Sequence, residues 1–146
     1  MELYMAKDEI VDTMKDLVGK YHPDLAPVVD EIAIVFKDKS STVDDKVVAG
    51  KTAKASPLLS TISNKDWKFV ITLGADVWGE MDSKSQIALI DHHLCACGVK
   101  EDKDGNLKCY VRQPDIAFFK AEVERHGLWR TSGTDPNPNL IADIFG

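Results

Sequence analysis

Long apolar runs are missing from this chain of 146 residues, and no stretch of about 18 apolar residues could span a membrane. The first residues lack the apolar segment of a secretory signal peptide, so a cytoplasmic protein is expected. Cysteine is scarce: the three cysteines, an odd number, fit a reducing compartment better than a disulfide framework. Internal repeats and low-complexity tracts are also absent from the sequence.

A surplus of positive charge is missing as well. The formal net charge is −6, which argues against general binding to nucleic-acid backbones. It suits solubility or a basic protein partner. The hydrophobic content of 44% and the charged content of 29% are ordinary for a globular protein, and the length fits one domain.

Apolar periodicity predicts an α+β domain, because stretches with helical spacing and stretches with alternation both occur. Helices are predicted over 7–20, 75–80, 84–97 and 114–127, and strands over 31–37, 47–55 and 67–73. Residues 38–46 and 58–65 are predicted to be connections. The domain is expected to cover residues 1–130, with residues 131–146 as a C-terminal tail rich in Pro, Asn, Gly and Thr.

Local signals place the ends of the central helix and the hairpin that follows it. Asp82 or Ser83 is predicted to cap the helix over 84–97, and Gln86 would complete a capping box with Ser83. Gly98 is a typical residue just after a helix. Asp104-Gly105 is typical of a hairpin turn, with residues 99–100 and 107–111 as its arms.

The central helix places His92 and His93 where a zinc peptidase would carry its chemistry. In the His-Glu-x-x-His motif, two histidines four residues apart bind Zn²⁺ and the glutamate activates water. Here His92 stands at the first histidine position, His93 at the glutamate position and Ala96 at the second histidine position. Because an alanine methyl cannot bind a metal, the sequence predicts a degenerate motif.

Other nitrogen and sulfur atoms near the motif make a metal site at shifted positions possible. His93 and Cys97 are four residues apart and are both good zinc ligand types, and His92 and the distant His126 would enlarge the set. In the alternative interpretation, Cys95 and Cys97 are small buried hydrophobic residues. His126 would then simply suit the negative end of its helix.

Several short segments of the chain can be compared with known families, namely 20–23, 50–57, 69–71, 76–78, 88–92, 94–95 and 124–129. Together they resemble a family of phage metallopeptidases with a zincin-like fold. Their joint occurrence in this order is more specific than any one of them. The resemblance implies a minimal metallopeptidase domain with a small mixed sheet, a central degenerate helix, a hairpin and a C-terminal helix.

The chain departs from the family pattern at the positions that matter for chemistry. The family helix is similar to Asp-His-Glu-Leu-Cys-His-Cys, whereas residues 91–97 read Asp-His-His-Leu-Cys-Ala-Cys. The resemblance also implies a third histidine ligand just before the Asp that opens the last helix, where this chain has Pro114 before Asp115. The general base and two of the three implied ligands are therefore absent, and only His92 carries over.

The combined loss predicts a pseudoenzyme that binds no cofactor and keeps its fold for binding another protein. The phage family implies a role in host takeover, in the cytoplasm of an infected cell, with a host protein or protein complex as the partner. An anti-CRISPR or other anti-defence inhibitor is one such role. Neither nucleic acid nor a membrane is an expected partner.

The alternative is a zinc-dependent metallopeptidase with a relocated metal site. Zinc would then be held by His92, His93, Cys97 and His126, and Asp91 or Glu122 would activate water. Asp91 is otherwise predicted to support a ligand or a cap. Natural decay and deliberate silencing of an active parent would both produce these substitutions.

Overall fold

Both strands and helices are present in a computed structural model that describes residues 2–43, 46–112 and 125–126. The strands are β1 Leu3–Met5, β2 Ile32–Lys37, β3 Ser41–Val43, β4 Lys46–Val48, β5 Gly50–Lys54, β6 Phe69–Gly74, β7 Cys97–Glu101 and β8 Leu107–Val111. The helices are α1 Asp8–Tyr21, a 3₁₀ helix Pro23–Glu31, α2 Pro57–Ser63, α3 Ala75–Glu80 and α4 Ser83–Ala96. The predicted α+β class is confirmed.

A mixed sheet of four strands, in the order β1-β2-β6-β5, supports the rest of the fold. β2 and β6 are its parallel central pair, and β1 and β5 pair antiparallel with them on either side. Phe69, Ile71 and Leu73 of β6 are fully buried, whereas Val70 and Thr72 between them are only partly buried. This alternation is what a strand with one core face requires, and it confirms the strand predicted over 67–73.

Helix α1 packs its apolar stripe into the core of the domain. Met14, Leu17 and Val18 are buried at helical spacing, as predicted. They belong to the same core cluster as Leu89 and Leu94 of α4. The helix predicted over 7–20 is confirmed, with each end shifted by one residue.

The segment predicted as a connection over 58–65 contains helix α2, so that prediction was wrong. Ser56 caps the helix, its Oγ accepting a hydrogen bond from the N–H of Leu59 at 3.2 Å. Pro57 occupies the first turn, where its missing N–H has no intrahelical partner to lose. The Ser-Pro pair therefore starts a helix as well as ending the extended segment before it.

The predicted strand over 47–55 is divided between two sheets. Its first part is β4, which pairs antiparallel with β3 inside the segment predicted as a loop over 38–46. Its second part is β5, which pairs antiparallel with β6 in the main sheet. The short strand β1 and the 3₁₀ helix were not predicted, because three or nine residues carry too little periodicity to be recognised.

Helix α4 begins with one of the two predicted caps. The Asp82 carboxylate accepts a hydrogen bond from the N–H of Ser85 at 2.8 Å, which satisfies one of the unpaired donors of the first turn. The predicted capping box does not form. The side-chain amide of Gln86 instead donates to the carbonyl of Trp78 in α3 at 2.9 Å.

The helix predicted over 84–97 is confirmed, with each end shifted by one residue, but Gly98 lies in a strand rather than in a helix-ending turn. The helix stops at Ala96, and Cys97 begins β7 at once. A Cβ on Gly98 would lie 2.3 Å from a ring carbon of Tyr110 in β8. Glycine is therefore required here for the close approach of a cross-strand aromatic ring.

The predicted hairpin is confirmed as β7 and β8, which pair antiparallel from Cys97–Val111 to Glu101–Leu107. Gly105 in the turn has φ +81°, a value that favours glycine. Most of the helix predicted over 114–127 and all of the tail predicted over 131–146 lie outside the described residues. Of that helix the structure describes Arg125 and His126, which are helical.

Candidate functional site

Helix α4 holds residues 92, 93 and 96, the predicted motif positions, at different depths. His92 is half-buried, and the side chains of His93 and Ala96 are buried. The rings of His92 and His93 lie edge to face, with their centroids 4.9 Å apart. The residue at the glutamate position therefore does not face open solvent.

The His93 imidazole is fixed against strand β5. Its Nδ1 lies 2.8 Å from the hydroxyl oxygen of Thr52, and the same hydroxyl donates to the backbone carbonyl of His93 at 3.3 Å. When the single hydroxyl proton points at that carbonyl, the hydroxyl accepts a hydrogen bond from Nδ1–H. Gly50 lies directly beside the ring, and a Cβ there would be 2.6 Å from Nε2.

The residues at the motif positions do not fit a zinc ion. A catalytic zinc site normally has three protein ligands, and the second histidine position offers only the methyl of Ala96, which is 7% exposed. The third position implied by the family, Pro114, lies outside the described residues. Without these nitrogens, His92 is the single motif ligand left on α4.

Asp91, one residue before the motif, is the centre of a buried polar cluster. Its carboxylate is inaccessible to solvent and receives hydrogen bonds from three side chains. The Nε2 atoms of His22 and His126 lie 2.5 and 2.9 Å from its two oxygens. Arg125 binds both oxygens, at 2.7 Å through Nε and at 3.0 Å through Nη2.

The electrostatics of the cluster keep Asp91 ionised. Burial by itself raises the pKa of the Asp91 carboxyl, but the hydrogen bonds from its three neighbours outweigh burial and hold that pKa well below its ordinary value. An ionised carboxylate only accepts hydrogen bonds, so both histidines donate through Nε2–H. Arg125 also stacks on the Tyr21 ring, its guanidinium carbon 4.3 Å from the ring centroid.

The structure brings together a different set of possible metal ligands from the predicted one. Among the described residues, His22, Asp91 and Cys95 have ligand atoms within 4.8 Å of one another. Arg125 already donates to Asp91 and, at 3.4 Å, to the sulfur of Cys95. A metal ion in this group would have to displace a positively charged guanidinium.

The four predicted ligands are not brought into one such group. His93 is bonded to Thr52, and the sulfur of Cys97 lies 3.5 Å from the carbonyl of His93. Burial raises the pKa of the Cys97 thiol, which disfavours the thiolate that a metal needs. His126 joins the Asp91 cluster instead.

Two members of the cluster, His22 and Arg125, were not among the predicted site residues. Both lie in segments on which the family resemblance depends, 20–23 and 124–129. Their position in these segments was the signal that could have identified them. Their sequence separations from Asp91, 69 and 34 residues, left no periodic pattern to connect them with it.

Comparison with known families decides the identity of the domain. The family described as "Putative phage metallopeptidase" matches residues 2–137. The chain belongs to this family. The α+β architecture, with its small mixed sheet and its helices, is compatible with the zincin-like metallopeptidase domain that the sequence predicted.

The chain matches no curated protein and no solved structure. In this member of the metallopeptidase family, the described helices include none with the length and hydropathy of a membrane span.

Acid is expected to destabilise the protein through Asp91. The pKa of this group is lower in the folded chain than in the unfolded one, where it is about 4, so the unfolded chain takes up the proton first as the pH falls. The stabilisation is complete above about pH 4 and is lost as the pH falls through the lower, folded-state pKa. Urea unfolding between about pH 2.5 and 7 measures the effect, and Asp91→Asn should flatten it. An equal pH dependence of the free energy of unfolding in the wild type and in Asp91→Asn would contradict the role given to Asp91.

Proposed function

We propose that this metallopeptidase-family protein is catalytically inactive and acts by binding another protein. The observation that carries the proposal is which residues stand at the motif positions of α4 and what they contact. The glutamate position holds an imidazole bonded to Thr52, and the second histidine position holds a buried alanine. Two of the groups that a zinc peptidase needs, a general base and a second helix ligand, are thus replaced by residues that pack.

The residue at the glutamate position, His93, makes specific contacts with strand β5. Gly50 leaves room for the His93 ring, and Thr52 bonds both Nδ1 of the ring and the backbone carbonyl of His93. A buried polar group that is fully bonded rigidifies its surroundings, whereas a half-satisfied one destabilises them. This arrangement supports a retained scaffold rather than an active site that awaits its metal.

The partner that fits this scaffold best is a host protein or protein complex, in the cytoplasm of the infected cell. Membership of a phage family supports a role in host takeover, and inhibition of a host defence complex, by an anti-CRISPR or other anti-defence protein, is the form we favour. The net charge of −6 disfavours direct contact with nucleic-acid phosphates. A pull-down from host lysate should recover a stoichiometric partner, and recovery of none would count against binding.

Metal content tests the inactivity directly. Protein purified without a histidine tag is expected to carry less than about 0.2 zinc per chain, because genuine structural and catalytic sites are close to fully occupied. It should show no peptide hydrolysis that a chelator abolishes. Near-stoichiometric zinc together with chelator-sensitive hydrolysis would replace this proposal with the zinc-dependent one.

One observation favours that second candidate, a peptidase with a relocated metal site. The ligand atoms of His22, Asp91 and Cys95 are close enough to share an ion. Arg125 occupies the same carboxylate, so zinc binding here requires its release. Loss of zinc in Cys95→Ser would locate the metal in this group, whereas loss in Cys97→Ser would locate it at the predicted ligands.

Restoring two motif residues is expected to leave zinc binding weak. The double variant His93→Glu/Ala96→His supplies the base and a second ligand but not the third, and two ligands hold zinc less tightly than three with water. Adding Pro114→His should strengthen binding by at least about tenfold, the effect of roughly 1.4 kcal/mol. Zinc titration measures both variants. Submicromolar affinity in the double variant would contradict the expectation.

A further inference from the structure

Helix α2 holds two large apolar side chains in solvent. Leu58 is 67% exposed and Ile62 is 75% exposed. They are four residues apart and therefore lie on one face of the helix. Within the part of the chain that the structure describes, none of the side chains of α2 is buried. The helix contributes little to the core, so packing does not explain its apolar face.

Local contacts nevertheless hold α2 in place. A helix of this length is marginal by itself in water, because nucleation is costly. Here Ser56 caps the start, and Asn64 closes the end in the left-handed conformation with φ 56°. The indole N–H of Trp67 donates to the hydroxyl of Ser63 at 3.1 Å, and Lys65 lies 4.2 Å from the centre of a Trp67 ring. The exposed pair thus stands on a pre-organised ridge, which lowers the entropy cost of binding.

Two exposed lysines stand beside this ridge in the sequence, although the chain as a whole is acidic. Lys54 and Lys65 flank α2 along the chain, and both are exposed. Two nearby acids, Asp66 and Glu31, both pair with Lys68, at 2.5 and 3.6 Å. Among the described residues, Lys54 has no ion-pair partner. An acidic partner would therefore find unpaired positive charge here, whereas a second copy of this acidic chain would meet net repulsion.

We propose that α2 is a docking ridge for an acidic polypeptide segment that carries apolar side chains. Leu58 and Ile62 fill the apolar centre of the contact, and Lys54 and Lys65 contact carboxylates at its rim. Central apolar anchors with a charged rim are typical of protein interfaces, whereas nucleic-acid sites are dominated by phosphate contacts. The proposal rests on the protein-binding function proposed above and adds the surface and the chemistry of the partner.

Selection from an unbiased displayed library of random peptides tests the ridge. The wild-type chain is the bait, and the double variant Leu58→Ser/Ile62→Ser is used for counter-selection. We expect the enriched peptides to be net acidic and to contain two or more large apolar side chains. A synthetic copy of the most enriched peptide should bind the wild type at least about tenfold more tightly than the double variant, which corresponds to about 1.4 kcal/mol.

Two control variants locate the effect. Leu3→Ser/Leu107→Ser removes apolar side chains that are 61% and 47% exposed on other elements, and it should bind the peptide like the wild type. Lys54→Glu/Lys65→Glu should weaken binding and reduce its salt dependence, because it removes the rim charges. All these side chains are exposed, so thermal unfolding should show that each variant remains folded.

Three outcomes would overturn the ridge. In the first outcome, the enriched peptides are basic or uncharged. In the second, no enriched peptide binds the wild type more tightly than the double variant. In the third, the enriched sequences match residues 139–146, so that this segment of the chain itself would be the occupant of the ridge. If one of these outcomes occurred while the protein had low zinc content and a stoichiometric host partner, only the docking ridge on α2 would be refuted. The proposal of an inactive protein that binds a host partner would still stand. Chelator-sensitive hydrolysis would instead refute the proposed function itself.

Discussion

Replacing Asp91 with alanine should lower the free energy of unfolding by about 3–5 kcal/mol. The carboxylate is inaccessible to solvent and accepts hydrogen bonds from His22, Arg125 and His126. Its removal leaves a guanidinium and two ring N–H groups without their acceptor in a buried place. Urea unfolding followed by circular dichroism measures the loss, and a native spectrum in buffer shows that the variant still folds.

The matched control is Asp66→Ala, which removes another carboxylate that pairs with a cation. Asp66 lies 2.5 Å from the Lys68 ammonium, but its side chain is 76% exposed. Exposed ion pairs contribute about 1 kcal/mol at most, because water screens them. The difference between the two variants therefore measures the combined effect of burial and of the additional hydrogen bonds to Asp91. A loss of less than about 1 kcal/mol in Asp91→Ala would show that the cluster does not stabilise the fold.

Replacing Gly50 with alanine is expected to lower the free energy of unfolding by about 1–3 kcal/mol through overpacking. The added Cβ would lie 2.6 Å from Nε2 of His93, 2.9 Å from Cδ2 of Leu73 and 3.0 Å from the carbonyl oxygen of Thr72. These distances are shorter than the optimal contact of about 3.5–4.0 Å between carbon atoms. The ring cannot retreat without breaking its bond to Thr52. Thermal or urea unfolding checks the prediction.

Gly19→Ala is the matched control, because the same methyl is added where nothing lies within 4 Å. Gly19 is in α1, where alanine has the better helix propensity, so this variant should gain about 0.5–1 kcal/mol. If Gly50→Ala were also neutral or stabilising, strand β5 would not be pressed against His93. The conclusion that the side chain at the glutamate position, His93, is tightly packed against β5 would then be withdrawn.

Elements with a strong local pattern were predictable from the sequence. Helix α1 and strand β6 each carry enough apolar periodicity to be identified, and Asp104-Gly105 identified the hairpin by its turn chemistry. Helix α2 was not recognised, because its apolar residues face solvent and so lack a core to impose a pattern. Gly98 was predicted to follow the helix in a turn, but it lies in β7, where Tyr110 on the opposite strand explains it.

The sequence by itself determined which side chains stand at the motif positions, because residue 93 is a histidine and residue 96 an alanine. It also determined the family, through segments spread over most of the chain. Only the tertiary structure decided what the polar side chains of α4 contact. Thr52 reaches His93 across 41 residues and His22 reaches Asp91 across 69. Such contacts arise when helices and strands pack, and no local rule of spacing encodes them.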